Sequence, residues 1–359
     1  MTRTQLRIGV GVVVAFLAIY LPYFSFEPAT NQELSRAVYF AIAAMGLNLL
    51  TGFNGQISIG HGAFFGVGAF TSAILVDSHG WMFELTIPAA AVAAAIVGVL
   101  IGIPALRVRG LYLALVTLGL AVLFPRLGQK FIEGDGGTAL IRPDRDEFDS
   151  LFTFMANDQW QYFESLVIAG ALFLLAWNLT RSRIGRAMVA VRDQEIAAST
   201  VGVNLARVKV GVFALSAAYA GVAGALSVMI DRAADATDPV ITFRNSIEFL
   251  VAVVIGGTAT IAGPAVGALI LILLRRETDG LIEGKEVLSP AIFGAALIAM
   301  IFVLPGGVVG GLRRLADRIL PLRGPPSGLI ADAALAPDTI DATTVPGPEP
   351  GDPPTKEQP

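Results

Sequence analysis

Apolar residues run along this chain in long blocks separated by short polar or glycine-rich breaks. Blocks long enough to cross about 30 Å of hydrocarbon fall at 8–25, 34–51, 60–77, 86–105, 111–128, 162–179, 208–230 and 289–304. Backbone N–H and C=O groups in lipid find no water to bond, so such blocks span as helices, and their length excludes the strands of a barrel. The stretch 247–274 interrupts this pattern, because Gly256-Gly257-Thr258-Ala259-Thr260 and Gly263-Pro264 stand in its middle. It is long for one span and short for two, which predicts a pair of half-length helices. The expected fold is an all-α polytopic membrane protein with eight full spans and this broken pair, about ten membrane elements in all.

The polar break that organises the rest is Arg181 to Lys209, RSRIGRAMVAVRDQEIAASTVGVNLARVK, which is too charged to enter a bilayer. Asp193 can act as N-cap of a short helix over Gln194–Val201, with Glu195 in its first turn and Gly202 where a left-handed stop residue belongs. Asn204 can then cap the next apolar segment. The result is a short surface helix held at both ends against the membrane, a geometry suited to transmitting force.

Charge orients the bundle. Residues 180–209 carry six basic side chains (Arg181, Arg183, Arg186, Arg192, Arg207 and Lys209) against Asp193 and Glu195, which assigns them to the cytoplasm. The preceding loop, 128–160, carries seven acids against three bases and suits the outer side. Counting spans backward puts Arg3, Arg7, Arg107 and Arg109 inside. Counting forward, Arg313, Arg314, Arg318 and Arg323 are also inside if 247–274 makes an even number of crossings, so both termini are expected in the cytoplasm.

A second polar stretch, GLNLLTGFNGQISIGHGAFFGVGAF at Gly46–Phe70, places Asn54, Gln56, Ser58 and His61 between two apolar helices. Breaks of this kind line cavities in membrane transporters, and a connecting loop followed by a tightly packed helix fits equally well. For His61, packing or hydrogen bonding outweighs a proton relay. A weak internal echo links Ile59–Gly66 to Ile261–Gly267, since each opens a helix after a glycine-rich break with glycines four apart. That makes Thr258 and Thr260 the counterpart candidates for a translocation pathway.

Both stretches carry a resemblance. The segment GRAMVAVRDQEIAASTVGVNLARVKVGVFALSAAYAGVAGAL is similar to the permeases of branched-chain amino acid importers of the ATP-binding-cassette class, and EIAASTVG resembles their cytoplasmic coupling loop. The Gly46–Phe70 stretch and SIEFLVAVVIGGTATIAGPAVGA resemble the same family, so the likeness covers most of 34–304. Ile196 and the lack of a later Leu-Pro depart from the general coupling pattern, leaving Gly202 as its firmest positional match. The resemblance implies that Arg186, Arg192, Asp193, Glu195, Ala197, Ala198 and Gly202 couple to an ATPase. It also implies a homologous permease subunit, two ATPase subunits, an extracytoplasmic solute-binding protein and a bacterial cytoplasmic membrane. Related permeases move urea, amides or other amino acids, and an ion-coupled secondary carrier is the reading from a different class.

Composition narrows these alternatives. At 54% hydrophobic and 15% charged residues, the chain is far from a soluble domain and nucleic acid is not an expected partner. No cysteine and two histidines, His61 and His79, leave no metal cluster or redox site to build. Glu84, Arg126 and Glu164 fall near the ends of their blocks, so the buried charges that an ion-driven carrier uses are missing. No ring of filter residues favours a channel. Ser58 and His61 lack a third partner for hydrolysis. No phosphate-binding Gly-x-x-x-x-Gly-Lys-Ser/Thr loop occurs, so no cofactor is expected and ATP belongs to partner subunits. The run 8–20 after Arg3 and Arg7 has no small-x-small cleavage site after it and reads as a first span. Ten of the twenty prolines lie in 321–359, which predicts a disordered tail after a permease domain at 1–320.

Overall fold

The computed structural model describes residues 28–106, 111–131, 140–143, 148, 156–235, 239–280, 294–295, 298, 302 and 306–319. The expected first span at 8–25, most of 289–304 and the tail from 321 lie outside these residues. The described chain is mostly helical. α1 (Pro28–Leu47) runs into a π-helical turn at Asn48–Phe53, and α2 (His61–His79), α3 (Phe83–Ala105) and α4 (Leu111–Phe131) follow. After α5 (Asn157–Arg181) come two short helices, α6 (Arg183–Asp193) and α7 (Glu195–Thr200), and then the long α8 (Leu205–Asp231). α9 (Pro239–Gly256) and α10 (Gly263–Gly280) form a hairpin, and α11 is Gly307–Ile319. A two-residue ribbon adds to the all-helical expectation: β1 (Leu140–Ile141) pairs antiparallel with β2 (Ala234–Asp235).

Four described stretches are long and apolar enough to cross a membrane: Pro28–Phe53, Phe83–Pro104, Asn157–Arg181 and Leu205–Asp231. Burial among them does not follow hydropathy. Phe83–Pro104 has mean hydropathy 2.3 and is 28% buried, whereas Pro28–Phe53, at 1.4, is 78% buried. Lipid is as apolar as leucine, so the most hydrophobic helix gains nothing by retreating inward, and interiors are built from small residues that allow close approach. α8 packs against α1, α2 and α3 in this way. A Cβ at Gly68 of α2 would strike the backbone of Gly221 in α8, and one at Gly221 would meet Ala90 and Ala94 of α3. The outer faces of α3, α4 and α5 expose Leu100, Leu115 and Val167.

The broken stretch differs from expectation in length. Its helices break where the glycines predict, but each has 18 residues because the flanks 239–246 and 275–280 continue the helices. Charged flanks hid this. Arg244 and Arg275 both lie 3.5 Å from Glu248, and Glu248 is buried in the middle of α9, a buried acid that a count of isolated blocks overlooks.

Contacts define two ends of the bundle. At one, Arg36 and Tyr39 of α1 donate to the Asp231 carboxylate at 2.8 Å each, and Asn31 donates to Asp158 at the start of α5. Arg276 of α10 reaches Thr30 at this same end. At the other lie the π-turn, α6, α7 and the α9–α10 break, and Gly307, the first residue of α11, packs there against Gly257.

Candidate functional site

The charged segment folds as two helices in succession. Ser182 caps α6, its hydroxyl accepting from Ile184 N–H and Gly185 N–H. Gly185, Met188 and Val191 recur every three residues along the buried face of α6, so its charges face outward. This changes the start of the short helix. Asp193 does not cap it: Asp193 ends α6 and its carboxylate accepts from Arg192 Nε at 2.9 Å. Gln194, in extended conformation with φ −154° and ψ 96°, separates the two helices, and α7 spans Glu195–Thr200, shorter than the expected Gln194–Val201. An earlier amphipathic turn thus claimed the aspartate that local rules assign to capping.

The other end of α7 follows the expectation. Gly202 adopts φ +86°, its N–H donates to Ser199 O and the Val203 N–H to Ala198 O. These two bonds close the helix and satisfy its last carbonyls. Asn204 Oδ1 then accepts from Arg207 N–H at 3.0 Å and starts α8. Glu195 is anchored from behind by Lys209 Nζ at 2.5 Å. Of the alanine pair, Ala198 is buried and Ala197 exposed. Ile196 and Val201 project outward with 73% and 78% exposure. Arg186 is exposed, its Nη1 lying 3.4 Å from Arg181 O.

Arg192 reaches the other way. Its Nη1 donates to Gly52 O at 3.1 Å, inside the π-turn, and its side-chain carbons cover Gly55. At the start of that turn Asn48, fully buried, bridges to the broken hairpin. Asn48 Oδ1 accepts from Ala259 N–H at 2.9 Å and Nδ2 donates to Thr260 O at 2.8 Å. The break is strained there, because Ala259 holds φ +56°, a conformation that costs a non-glycine residue about 1–2 kcal/mol. Thr260 ties it off, donating to Gly257 O and accepting from Gly263 N–H at the start of α10. A continuous path of hydrogen bonds and helix therefore joins α6 to the α9–α10 break.

The polar residues of the Gly46–Phe70 stretch separate into two groups. Gln56 lies 3.4 Å from Lys209 O and accepts from Thr51 Oγ1 at its own carbonyl, while His61 Nε2 donates to Ala43 O at 3.1 Å. The His61 ring stands edge-on to Phe249, so it is packed and hydrogen-bonded. Asn54 and Ser58 are also buried, but neither amide atom of Asn54 nor the Ser58 hydroxyl has a partner among the described residues. Thr258 is exposed. Asn48 was missed in the list of candidates, although a lone amide in the apolar run 41–50 is itself a signal.

Comparison with known proteins bears on the whole arrangement. Residues 31–303 match the family described as branched-chain amino acid transport system / permease component. The chain is 30% identical to the high-affinity branched-chain amino acid transport system permease protein LivM of Escherichia coli K12, over 83% of this chain and 74% of that protein. It is 26% identical to LivH of the same organism, over 76% and 91%. A ribose import permease, RbsC of Escherichia coli K12, is 32% identical over 29% of the chain and 34% of its own length. No solved structure matches. With three quarters of its length inside one family's profile and 30% identity to LivM over most of both chains, the chain belongs to the permease components of branched-chain amino acid transport systems.

Proposed function

We propose that this chain is one permease subunit of an ATP-driven importer for branched-chain amino acids in a bacterial cytoplasmic membrane. It pairs with a homologous permease and docks two ATPase subunits that bind the ATP, and it receives substrate from a solute-binding protein outside. The α6–α7 segment is the docking element and lies in the cytoplasm. The observation that carries this reading is the pair of exposed apolar side chains, Ile196 in the six-residue helix and Val201 just after its last residue, on an element held from behind by Lys209 and closed by its Gly202 stop. Apolar tips on a fixed, charged surface element suit a partner's cleft.

Motion received at α7 passes to Arg192, to the π-turn through Gly52, and through Asn48 to the α9–α10 break. Single π-turns within helices are uncommon and recur at functional sites. The buried, unpartnered Asn54 and Ser58 lie beside this path, and a buried polar group left unmade costs about 1–3 kcal/mol. Their retention suits a wall that polar cargo passes. The return of α11 to the α7 end supports an even number of crossings by α9 and α10 and a cytoplasmic C-terminus.

The test is reconstitution of the permease pair with its ATPase subunits and binding protein in liposomes. Leucine uptake is expected to require ATP and both partner classes. Uptake by the permease alone would point instead to a secondary carrier. Ile196→Asp is expected to lower ATPase co-purification at least about tenfold with the permease amount unchanged.

A further inference from the structure

At the Asp231 end a cavity of about 460 Å3 opens between α1, α2, α8, α9 and α10, a size within the range of small-molecule sites. Its charge is divided. Glu33, Asp231 and Arg36 stand on one side, Arg36 paired with both acids at 2.7 and 2.8 Å and Tyr39 donating to Asp231, and Asp235 also lines the cavity. Arg244, Arg275 and Arg276 stand on the other, on α9 and α10. The first two share buried Glu248 at 3.5 Å each; Arg276 is exposed and lies 3.4 Å from Thr30.

The cavity floor is apolar and aromatic. Phe40 and Phe65 line it, and both pack on Phe249, with ring centroids 5.0 and 5.4 Å apart. Phe249 in turn meets the edge of His61. Directly after His61, Gly62 also borders the cavity, its N–H bonded to Ser246 Oγ. The cavity thus ends on an aromatic layer, and the Asn54–Ser58 break lies on the far side of that layer in the chain's path.

We infer that this cavity is a binding site for the free amino acid inside the permease itself, with the carboxylate on the arginine wall, the ammonium toward Glu33 and Asp231, and the aliphatic side chain on Phe40 and Phe65. A zwitterion suits walls of opposite sign, since each wall attracts one end and repels the other. The apolar floor selects a branched aliphatic group over a polar one. Specificity is then read a second time after the binding protein, and the Phe40–Phe65–Phe249 layer is the barrier that must part for cargo to reach Asn54 and Ser58. The inference rests on the importer reading above and adds to it a site within this subunit.

The chain has no cysteine, so one introduced thiol reports on the cavity without background from this subunit. Asn245→Cys, on the cavity wall, is labelled from the outer face with a charged methanethiosulfonate in membranes containing the full permease–ATPase complex and no binding protein. Labelling is read on this subunit after its isolation. L-leucine at about 10 mM, which fills about nine tenths of a site with a Kd of about 1 mM, is expected to slow labelling about tenfold. The ammonium-free 4-methylpentanoate and the carboxylate-free isoamylamine are each expected to protect much less. Adding Arg276→Gln, at an exposed position that leaves Glu248 its two partners, is expected to abolish protection while the complex still assembles. Equal labelling with and without L-leucine, in a complex that imports leucine once binding protein is restored, overturns the site and leaves the importer reading intact. Equal protection by all three compounds overturns the zwitterion assignment. Failure of ATP-dependent import with every partner present counts against the importer reading and is separable from the labelling result.

Discussion

Arg192 and Gly52 stand 140 residues apart in sequence, and the guanidinium of one donates to the backbone carbonyl of the other at 3.1 Å. A side chain from the surface helix α6 thereby holds the π-turn that continues α1. Asn48 grips the α9–α10 break from that same turn, so three separated parts of the chain share one mechanical joint.

The joint makes a distinction that can be measured. Arg192→Ala removes a surface grip and is expected to leave folding intact. Asn48→Leu strands the Ala259 N–H and Thr260 carbonyl in the interior, at about 1–3 kcal/mol each, and is expected to lower thermal stability. Both are expected to reduce the transport obtained per ATP hydrolysed by at least several-fold. Tight coupling in Arg192→Ala, measured as leucine imported per phosphate released, would remove this route for the motion.

Gly202 offers a cleaner test of the docking role proposed for α7. Nothing stands within 4 Å of where its Cβ would be, so a substitution acts through the positive φ alone. Gly202→Val is expected to cost about 1–2 kcal/mol locally and to abolish ATPase-stimulated uptake while membrane abundance holds. Gly202→Asn, which tolerates this conformation better, is expected to keep a substantial part of it. Identical behaviour of the two variants would mean that side-chain bulk matters and the backbone stop does not.

Glycines in the bundle act differently. At Gly62 a Cβ would run into Thr242 O and Ser246 Oγ, and at Gly267 into Ala252 O. Gly62→Leu and Gly267→Leu are each expected to destabilise the fold by about 1–3 kcal/mol, seen as a lower melting temperature and less monodisperse protein in detergent. Normal yield and melting temperature would place these residues against lipid.

Orientation is open to direct measurement. α11 starts at the same end of the bundle as α7, since Gly307 packs on Gly257. Reporter fusions after Arg192 and after Arg323 are both expected to read as cytoplasmic. Export of the second alone would give the α9–α10 hairpin an odd number of crossings.

Much of the fold was legible in the chain because lipid enforces it: an apolar run of sufficient length has no structure to adopt except a helix. The π-turn was not legible, since its sequence Asn48–Phe53 continues α1 without a proline or charge to mark a change. The lengths of α9 and α10 were concealed by Arg244 and Arg275, which end the apolar block in sequence but not the helices, each lying 3.5 Å from Glu248, Arg244 within α9 and Arg275 across the hairpin. In the candidate site, Gly202 and Asn204 were readable because their roles are local. Asp193 was misread because Arg192 beside it and α6 before it compete for the same carboxylate. Asn48, Lys209 and the exposure of Ile196 depend on residues far along the chain, which no spacing rule reaches.

The deep burial of the least hydrophobic of the four stretches bears on how the protein is made. The stretch that opens the bundle, Pro28–Phe53, has mean hydropathy 1.4 and is 78% buried in the finished molecule, with Asn31, Ser35 and Asn48 on its inner face. Such a segment leaves the translocon with a weaker preference for lipid than Phe83–Pro104 has, and the helix that covers it, α8, is synthesised more than a hundred residues later. Between those two moments the nascent chain carries exposed amides in the bilayer. That interval is where insertion chaperones and membrane proteases compete for it, and a substitution that delays the docking of α8 lowers the yield of permease before it alters the transport of any amino acid.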